Sequence, residues 1–106
     1  MKLLIVTLFA CFIVQPLIAS STLDPSELLL YQKPTCPYCQ KVFYFLDALQ
    51  LEIEMADTRD LEVRAELIRR GGKAQVPCLM IQGAPLYESD EIIRFLQEQY
   101  ASLTSR

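Results

Sequence analysis

The stretch Thr35-Cys36-Pro37-Tyr38-Cys39 contains two thiols that are separated by one helical turn. It follows a short apolar run at residues 28–31 and precedes apolar positions at helical spacing, so it lies where a strand passes into a helix. A thiol at the start of a helix is close to unpaired backbone N–H groups, which stabilise its anion. The second thiol is within reach of a disulfide with the first. The stretch therefore predicts a reactive cysteine pair, although structural disulfides and zinc sites share the spacing.

A zinc site is disfavoured by the ligands that the chain offers. Zinc normally takes four ligands, usually Cys or His, and the chain has four cysteines and no histidine. Cys11 lies in the apolar N-terminal run, and Cys78 follows a proline in a predicted central strand, where a small buried residue is the simpler interpretation. We therefore expect no metal within one chain. An iron–sulfur cluster shared between two chains remains an alternative.

The N-terminal segment differs from the rest of the chain. Lys2 is followed by an apolar run at residues 3–14 and then by small residues at 19–21, a pattern typical of a secretory signal peptide. Continued to residue 19, the run could instead be an uncleaved membrane anchor. We assign residues 1–20 to a signal peptide or anchor, 21–26 to a linker and 27–106 to a domain. The protein is then exported to a periplasm or secretory lumen, or tethered to a membrane through residues 3–19, rather than cytoplasmic.

The remaining sequence alternates between strand and helix patterns. Strands are predicted at 28–31, 51–55, 77–81 and 85–87. The first helix runs to about residue 49 with Thr35 as its N-cap, the second spans 61–70 before Gly71-Gly72, and Ser89 or Asp90 caps the third. The apolar positions that we expect to be buried are Val42, Leu46 and Leu49, then Leu61, Ala65 and Ile68, then Ile92, Ile93, Leu96, Tyr100 and Leu103. A helical crossover makes the first two strands parallel, and a short turn makes the last two antiparallel.

A Cys-Pro-Tyr-Cys at the first strand–helix junction, followed by this order of elements, resembles the glutaredoxins of the thioredoxin-like fold. The resemblance covers about residues 27–103. It implies an α/β domain of order β-α-β-α-β-β-α, with a four-stranded mixed sheet flanked by helices. It also implies a monomer that uses glutathione as co-substrate, needs no metal, and passes electrons between glutathione and disulfides. The net charge of −3 and the lack of a basic run give no indication of nucleic-acid binding.

The resemblance also implies a glutathione site. Lys33 stands where glutaredoxins carry a basic residue that meets a glutathione carboxylate, and Gln75-Val76-Pro77 matches a segment whose proline is cis. One departure is that Leu86-Tyr87-Glu88 replaces a second Gly-Gly, so that Leu86 to Ile93 is more similar to the N-terminal domain of glutathione S-transferases, where a Glu/Gln-Ser pair binds the γ-glutamyl group. The implied glutathione ligands are Lys33, Tyr38, Gln75, Val76, Pro77, Glu88, Ser89 and Asp90.

Together these features predict a glutathione-dependent thiol–disulfide oxidoreductase. Cys36 is the nucleophile, and Cys39 closes a redox-active disulfide with it. The expected partners are glutathionylated or disulfide-bonded proteins. Two alternatives remain open: an exported dithiol oxidant or isomerase that does not use glutathione, and a non-catalytic module that binds glutathione or an iron–sulfur cluster.

Overall fold

The computed structural model describes residues 22–104, with side chains through residue 101. The predicted signal peptide or anchor lies outside these residues, as does the side chain of Leu103. Within the described part, no helix is long and apolar enough to cross a membrane. A short 3₁₀ helix, Pro25–Glu27, precedes seven elements: β1 Leu28–Gln32, α1 Pro37–Leu49, β2 Glu54–Asp57, α2 Leu61–Gly71, β3 Cys78–Ile81, β4 Ala84–Tyr87 and α3 Ser89–Thr104.

The four strands form one mixed sheet of order β2-β1-β3-β4. β1 runs parallel to β2 and antiparallel to β3, and β3 runs antiparallel to β4. The predicted α/β fold of thioredoxin-like type is therefore confirmed, including the parallel first pair and the antiparallel last pair.

Alternating side chains of β1 separate two hydrophobic cores, because successive residues of a strand point to opposite faces of the sheet. Leu28 and Leu30 face α1 and α3, whose buried residues include Val42, Leu46, Ile92, Leu96 and Tyr100. Tyr31 lies on the other face, with Leu67 of α2 and with Cys78 and Met80 of β3. The sheet is thus covered on both faces, and the loop after β1 leads directly into α1.

The start that the sequence predicts for the second strand is wrong. The alternating stretch 51–55 predicts a half-exposed strand, but β2 begins at Glu54, where pairing with Leu29 starts. Leu51 and Ile53 are part of the connecting loop and pack against the larger core from there. The alternation therefore reflects burial of loop side chains, which the period alone does not distinguish from a strand.

Two helix caps also differ from prediction. Thr35 is not the N-cap of α1, because the helix begins at Pro37 and Cys36 occupies the cap position with φ −86° and ψ 125°. Ser89 and Asp90 are the first residues of α3 and not its cap. The Glu88 carbonyl accepts a helical bond from the Ile92 N–H at 3.0 Å, so Glu88 occupies the cap position.

The buried face of α2 is not the predicted one. Leu67 is fully buried and is the helix's buried residue, whereas Leu61 and Ile68 are 77% and 41% exposed. Ala65 is exposed as well. The predicted C-terminus is confirmed, since Gly72 ends the helix in the left-handed region at φ 97°.

Candidate functional site

Cys36 lies at the N-terminus of α1, half-buried and directly before Pro37. Its own N–H donates to the Lys33 carbonyl at 3.0 Å, which folds the connecting loop into a tight turn. Proline is tolerated as the next residue because the first N–H groups of a helix have no intrahelical acceptor. The free N–H groups that follow in the helix are then available to the sulfur of Cys36.

The pKa of Cys36 is lowered, although its partial burial opposes ionisation. The contributions that lower the pKa come first from the backbone N–H groups of Cys39 and Tyr38. The thiol of Cys39 and the positive charge of Lys33 lower it further. This is the helix N-terminus effect that the sequence indicates. Cys36 is therefore the more easily ionised thiol of the pair.

Cys39 lies one turn further into α1 and is fully buried. Its Sγ accepts a hydrogen bond from the Lys33 N–H at 3.4 Å. Burial, followed by the hydrogen bond to Cys36 and the charge of that residue, raises the pKa of Cys39 to about 11. Both cysteines are free thiols in this structure, and the disulfide between them stays a prediction.

A groove of about 640 Å³ lies beside the N-terminus of α1. Three segments form it: α1, the loop that precedes β3, and the start of α3. Its lining consists of Tyr38, Lys41, Gln75, Val76, Pro77, Glu88, Ser89, Asp90 and Glu91. Seven of the eight residues predicted to bind glutathione therefore line one groove, and the peptide bond between Val76 and Pro77 is cis as predicted. Lys33 is exposed in the loop before Cys36 and is not part of the lining.

Polar contacts fix the side chains of the groove. Gln75 donates through Nε2 to Glu88 Oε2 at 3.1 Å. Glu88 has φ 77°, a left-handed conformation that favours glycine, and it stands where the glutaredoxin pattern has Gly-Gly. Ser89 is buried. Lys41 of α1 forms an ion pair with Asp90 of α3, with 2.9 Å between Nζ and Oδ1.

Sequence reasoning missed two of the lining residues, Lys41 and Glu91. The signal for Lys41 is its spacing, since residues three apart lie on the same face of a helix and Lys41 follows Tyr38 by three positions. Glu91 follows Asp90 in the acidic first turn of α3. Neither residue belongs to the motif that indicated the site.

Cys78 lies on the opposite face of the sheet from α1. It is fully buried, and its partner on the adjacent strand β4 is Tyr87. Burial raises the pKa of Cys78, against smaller opposing effects of Tyr87, the Leu86 backbone and Lys73. These properties agree with its interpretation as a small buried residue. Across residues 22–104, no group of three or more His, Cys, Asp or Glu side chains is placed to hold a metal ion.

Residues 30–104 match the family model of the glutathione S-transferase N-terminal domain. The chain belongs to this family. The match includes both cysteines and all the residues that line the groove. The resemblance to glutaredoxins and to the transferase N-terminal domain is thereby confirmed, and a glutathione-related function is supported.

Individual relatives agree with this assignment. Prostaglandin E synthase 2 of Danio rerio is 36% identical over 85 residues, which are 78% of this chain and 22% of that protein. A glutathione transferase homologue of Drosophila mojavensis, solved with bound glutathione, is 23% identical with a TM-score of 0.61, over 70% of this chain and 35% of that one. The holo form of glutaredoxin C1 from Populus tremula × tremuloides is 19% identical with a TM-score of 0.56, over 72% and 79% of the two chains. The chain thus spans about a fifth of the curated relative and about a third of the transferase homologue.

Proposed function

We propose that this protein is a glutathione-dependent thiol–disulfide oxidoreductase in which Cys36 is the nucleophile. The observation that carries the proposal is that the pKa values of the two thiols are shifted in opposite directions. The pKa of Cys36 is lowered, whereas that of the buried Cys39 is raised to about 11. Only a thiolate attacks a disulfide. Cys36 therefore reacts first, and Cys39 stays protonated in the reduced protein.

The reaction begins with a mixed disulfide between glutathione and a substrate thiol. The Cys36 thiolate attacks the glutathione sulfur, the disulfide breaks, and the substrate leaves as a thiolate that takes a proton from water. A second glutathione thiolate then attacks the glutathione sulfur bound to Cys36, which releases oxidised glutathione and restores the Cys36 thiolate. Each turnover thus consumes one reduced glutathione, whose sulfur ends in oxidised glutathione together with the glutathione sulfur that came from the mixed disulfide.

Cys39 offers a second way to resolve the intermediate. Once Cys36 is bonded to glutathione it carries no negative charge, so one of the causes that raises the pKa of Cys39 disappears. The Cys39 thiolate can then attack Cys36 Sγ, which releases glutathione and forms the Cys36–Cys39 disulfide. Two further glutathione molecules reduce that disulfide.

The groove supports glutathione as the co-substrate. The groove is lined by Tyr38, which stands between the two cysteines in the sequence. It is also lined by Val76, directly before Pro77, and by the buried Ser89 at the start of α3. An extended peptide can pair with free backbone groups, and a helix N-terminus favours a carboxylate. We assign the γ-glutamyl end to Glu88, Ser89 and Asp90, the peptide backbone to Gln75 and Val76, and the sulfur to Tyr38 and Cys36. Lys33 lies outside the groove lining, and its proposed contact is with the remaining carboxylate.

Release of a thiol from a glutathionylated peptide, measured with excess glutathione, tests the proposal. We expect Cys36→Ser to abolish the reaction and Cys39→Ser to retain most of it. Cys78→Ala is the matched control, because it removes a thiol from the other face of the sheet, and it should retain activity. Full activity of Cys36→Ser would overturn the proposal.

The redox potential separates this function from that of an exported oxidant. A potential of about −200 to −230 mV suits a glutaredoxin, whereas about −120 mV suits a dithiol oxidant. A coloured, iron-containing protein after purification without oxygen would instead favour the cluster-carrying module.

The relative from Danio rerio suggests a second candidate, prostaglandin E synthesis. The match covers 78% of this chain. A continuous segment of that length includes Cys36 and Cys39 wherever it begins. The chain corresponds to 22% of that protein. Formation of prostaglandin E by the wild type, absent in Cys36→Ser, would favour it.

We also propose that the protein is exported or tethered through residues 3–19, on the sequence pattern alone. Mass spectrometry of the N-terminus of protein isolated from cells tests this. A mature chain that begins after residue 19 or 21 indicates a cleaved signal peptide, and an intact chain in the membrane fraction indicates an anchor. An intact chain in the soluble fraction would contradict both.

A further inference from the structure

A second groove, of about 530 Å³, lies on the side of α1 that faces away from the groove described above. The two grooves share no lining residue, and with about 3.6 residues per turn the α1 residues that line them lie on opposite sides of the helix. Apolar side chains of the second groove come from α1, from the loop after it and from β2: Phe43, Leu46, Leu51, Ile53 and Met55. Pro34 also lines it, two residues before Cys36 in the same loop. The second groove therefore reaches the segment that carries the nucleophile.

The second groove is also lined by a buried amide whose oxygen has no hydrogen-bond partner. Gln32 is the last residue of β1 and is 7% exposed. Strand alternation directs its side chain to the same face of the sheet as Leu30, towards α1. Thr58 donates to the Gln32 backbone carbonyl, but the side-chain Oε1 has no partner within residues 22–104. An unpaired buried polar group lowers stability, so a ligand that pairs with this amide gains affinity from it.

Two carboxylates of the second groove have no ion-pair partner in the described part of the chain. Asp47 of α1 and Glu52 of the following loop line the groove, and both are exposed. The ion pairs between described residues involve neither of them. The described lining contains no lysine or arginine. Charge complementarity therefore favours a basic ligand over an acidic one.

An extended peptide with apolar and basic side chains matches all three features. A peptide group carries a donor and an acceptor, as the Gln32 amide does, so the two can pair. A half-turn of the Gln32 amide about its last side-chain bond exchanges oxygen and nitrogen, so either atom can face the peptide. Apolar side chains of the peptide bury against the lining, and a lysine or arginine reaches Asp47 or Glu52. A second copy of this chain matches less well, because its net charge of −3 is repelled by these carboxylates.

We propose that the second groove binds an extended segment of the protein substrate that is rich in apolar side chains and carries a lysine or arginine. The inference rests on the proposed function, and it names the substrate class: proteins whose glutathionylated or disulfide-bonded cysteine is flanked by such a segment. The segment then binds on one side of α1 and glutathione on the other, with Cys36 at the N-terminus of that helix.

Steady-state kinetics of the full protein with glutathionylated peptides and excess glutathione test this. The short peptide is capped Gly-Cys-Gly. The flanked peptide carries Leu-Lys-Phe-Leu on both sides of that sequence, and an acidic peptide has glutamate in place of each lysine.

The variants remove either the amide or the charges of the second groove. Gln32→Met keeps the length of the side chain without its amide, and Asp47→Asn combined with Glu52→Gln removes both carboxylates. The matched controls are Gln97→Met and Glu98→Gln, at exposed positions of α3.

We expect the wild type to have a KM for the flanked peptide about tenfold below that for the short peptide, as for one or two additional hydrogen bonds. The kcat should change little, because these contacts are the same in the ground state and the transition state. Gln32→Met should lose most of this advantage and keep the wild-type KM for the short peptide. The double variant should no longer distinguish the flanked from the acidic peptide. Both controls should behave as the wild type.

Urea denaturation gives a readout that does not depend on activity. Gln32→Met should raise the midpoint of unfolding, because an apolar side chain replaces an unpaired buried amide, whereas Gln97→Met should not. An unchanged or lower midpoint in Gln32→Met would overturn the inference, since the amide would then have a partner in the folded protein.

Equal KM values of the wild type for the short and flanked peptides would also overturn the inference, as would an unchanged KM of Gln32→Met for the flanked peptide. Self-association of the wild type in sedimentation, lost in Gln32→Met, would overturn it by showing that a second copy occupies the groove. In these cases turnover of the short peptide leaves the proposed function standing. Failure of the wild type to turn over the short peptide would overturn the proposed function and this inference together.

Discussion

Cys36 and Cys39 are one helical turn apart on α1, yet their environments shift their ionisation in opposite directions. Cys36 is at the helix N-terminus and half-buried, and Cys39 is inside the core. The proton on Cys39 also contributes to the difference, because its thiol stabilises the Cys36 anion. The pair is therefore one readily ionised nucleophile with a neutral hydrogen-bond donor behind it.

The first prediction concerns the pH dependence of alkylation. A lowered pKa means that the Cys36 thiolate forms at a lower pH than the thiolate of an ordinary cysteine does. Cys39 stays protonated until the pH approaches its pKa of about 11. Iodoacetamide should therefore label Cys36 first, with a midpoint below that of free cysteine. In Cys39→Ala the midpoint should move up, because the thiol donor is lost. A wild-type midpoint at or above that of free cysteine would contradict this.

The second prediction concerns the effect of the Lys33 charge on Cys36, which the same pH titration of alkylation measures. Its positive charge lowers the pKa of Cys36, so Lys33→Gln should raise the alkylation midpoint. The backbone N–H of Lys33 still reaches Cys39 Sγ in that variant, since the contact does not involve the side chain. Arg64→Gln, on the opposite face of the sheet, serves as the control. An unchanged midpoint in Lys33→Gln would show that the charge is too well screened by solvent to act.

The buried face of α2 predicts a large difference between two neighbouring residues. Leu67 is fully buried, whereas Ile68 is 41% exposed. Leu67→Ala should lower the free energy of unfolding by about 2–5 kcal/mol, as for other large-to-small core substitutions. Ile68→Ala should cost clearly less. Urea denaturation of the reduced protein measures both, and a larger cost for Ile68→Ala would mean that α2 packs through the face predicted from the sequence.

A side chain at position 71 is predicted to conflict sterically with Tyr87. A Cβ atom at position 71 would clash with Tyr87 Oη, which donates to the Lys73 carbonyl at 3.0 Å. Gly71→Ala should therefore destabilise the protein by about 1–3 kcal/mol, the range for overpacking. Tyr87→Phe removes the clashing oxygen, so the double variant should recover much of the loss. Strictly additive effects in this double-mutant cycle would argue against the contact.

The segment before β1 is predicted to be held by Tyr100. Its Oη donates to the Leu23 carbonyl at 2.7 Å, and Leu23 in turn donates to Gln99 Oε1 at 3.1 Å. Tyr100→Phe should cost about 1 kcal/mol and should increase amide exchange at residues 22–27. Tyr44→Phe is the control, since Tyr44 is 75% exposed. Equal exchange in the two variants would show that the hydrogen bond does not hold the segment.

Most of the fold was predictable because its signals are local. The apolar run of β1, the helical spacing of Val42 and Leu46, and the glycines after α2 each depend on residues close in sequence. The failures have a common cause. Leu51 and Ile53 alternate as in a strand but pack from a loop, and the exposed face of α2 carries Leu61, so the pattern of apolar residues did not identify what was buried.

By itself, the sequence determined the order of the elements, the cysteine pair at a helix N-terminus and most of the groove, because motif spacing and helix geometry are properties of short segments. Only the tertiary structure decided that Cys36 is the cap residue, that Cys39 is buried deeply enough to stay protonated, and that Lys41 faces Asp90. Those features depend on how α1, α3 and the sheet pack together. Burial and pairing between distant residues are set by that packing and are not encoded in any single segment.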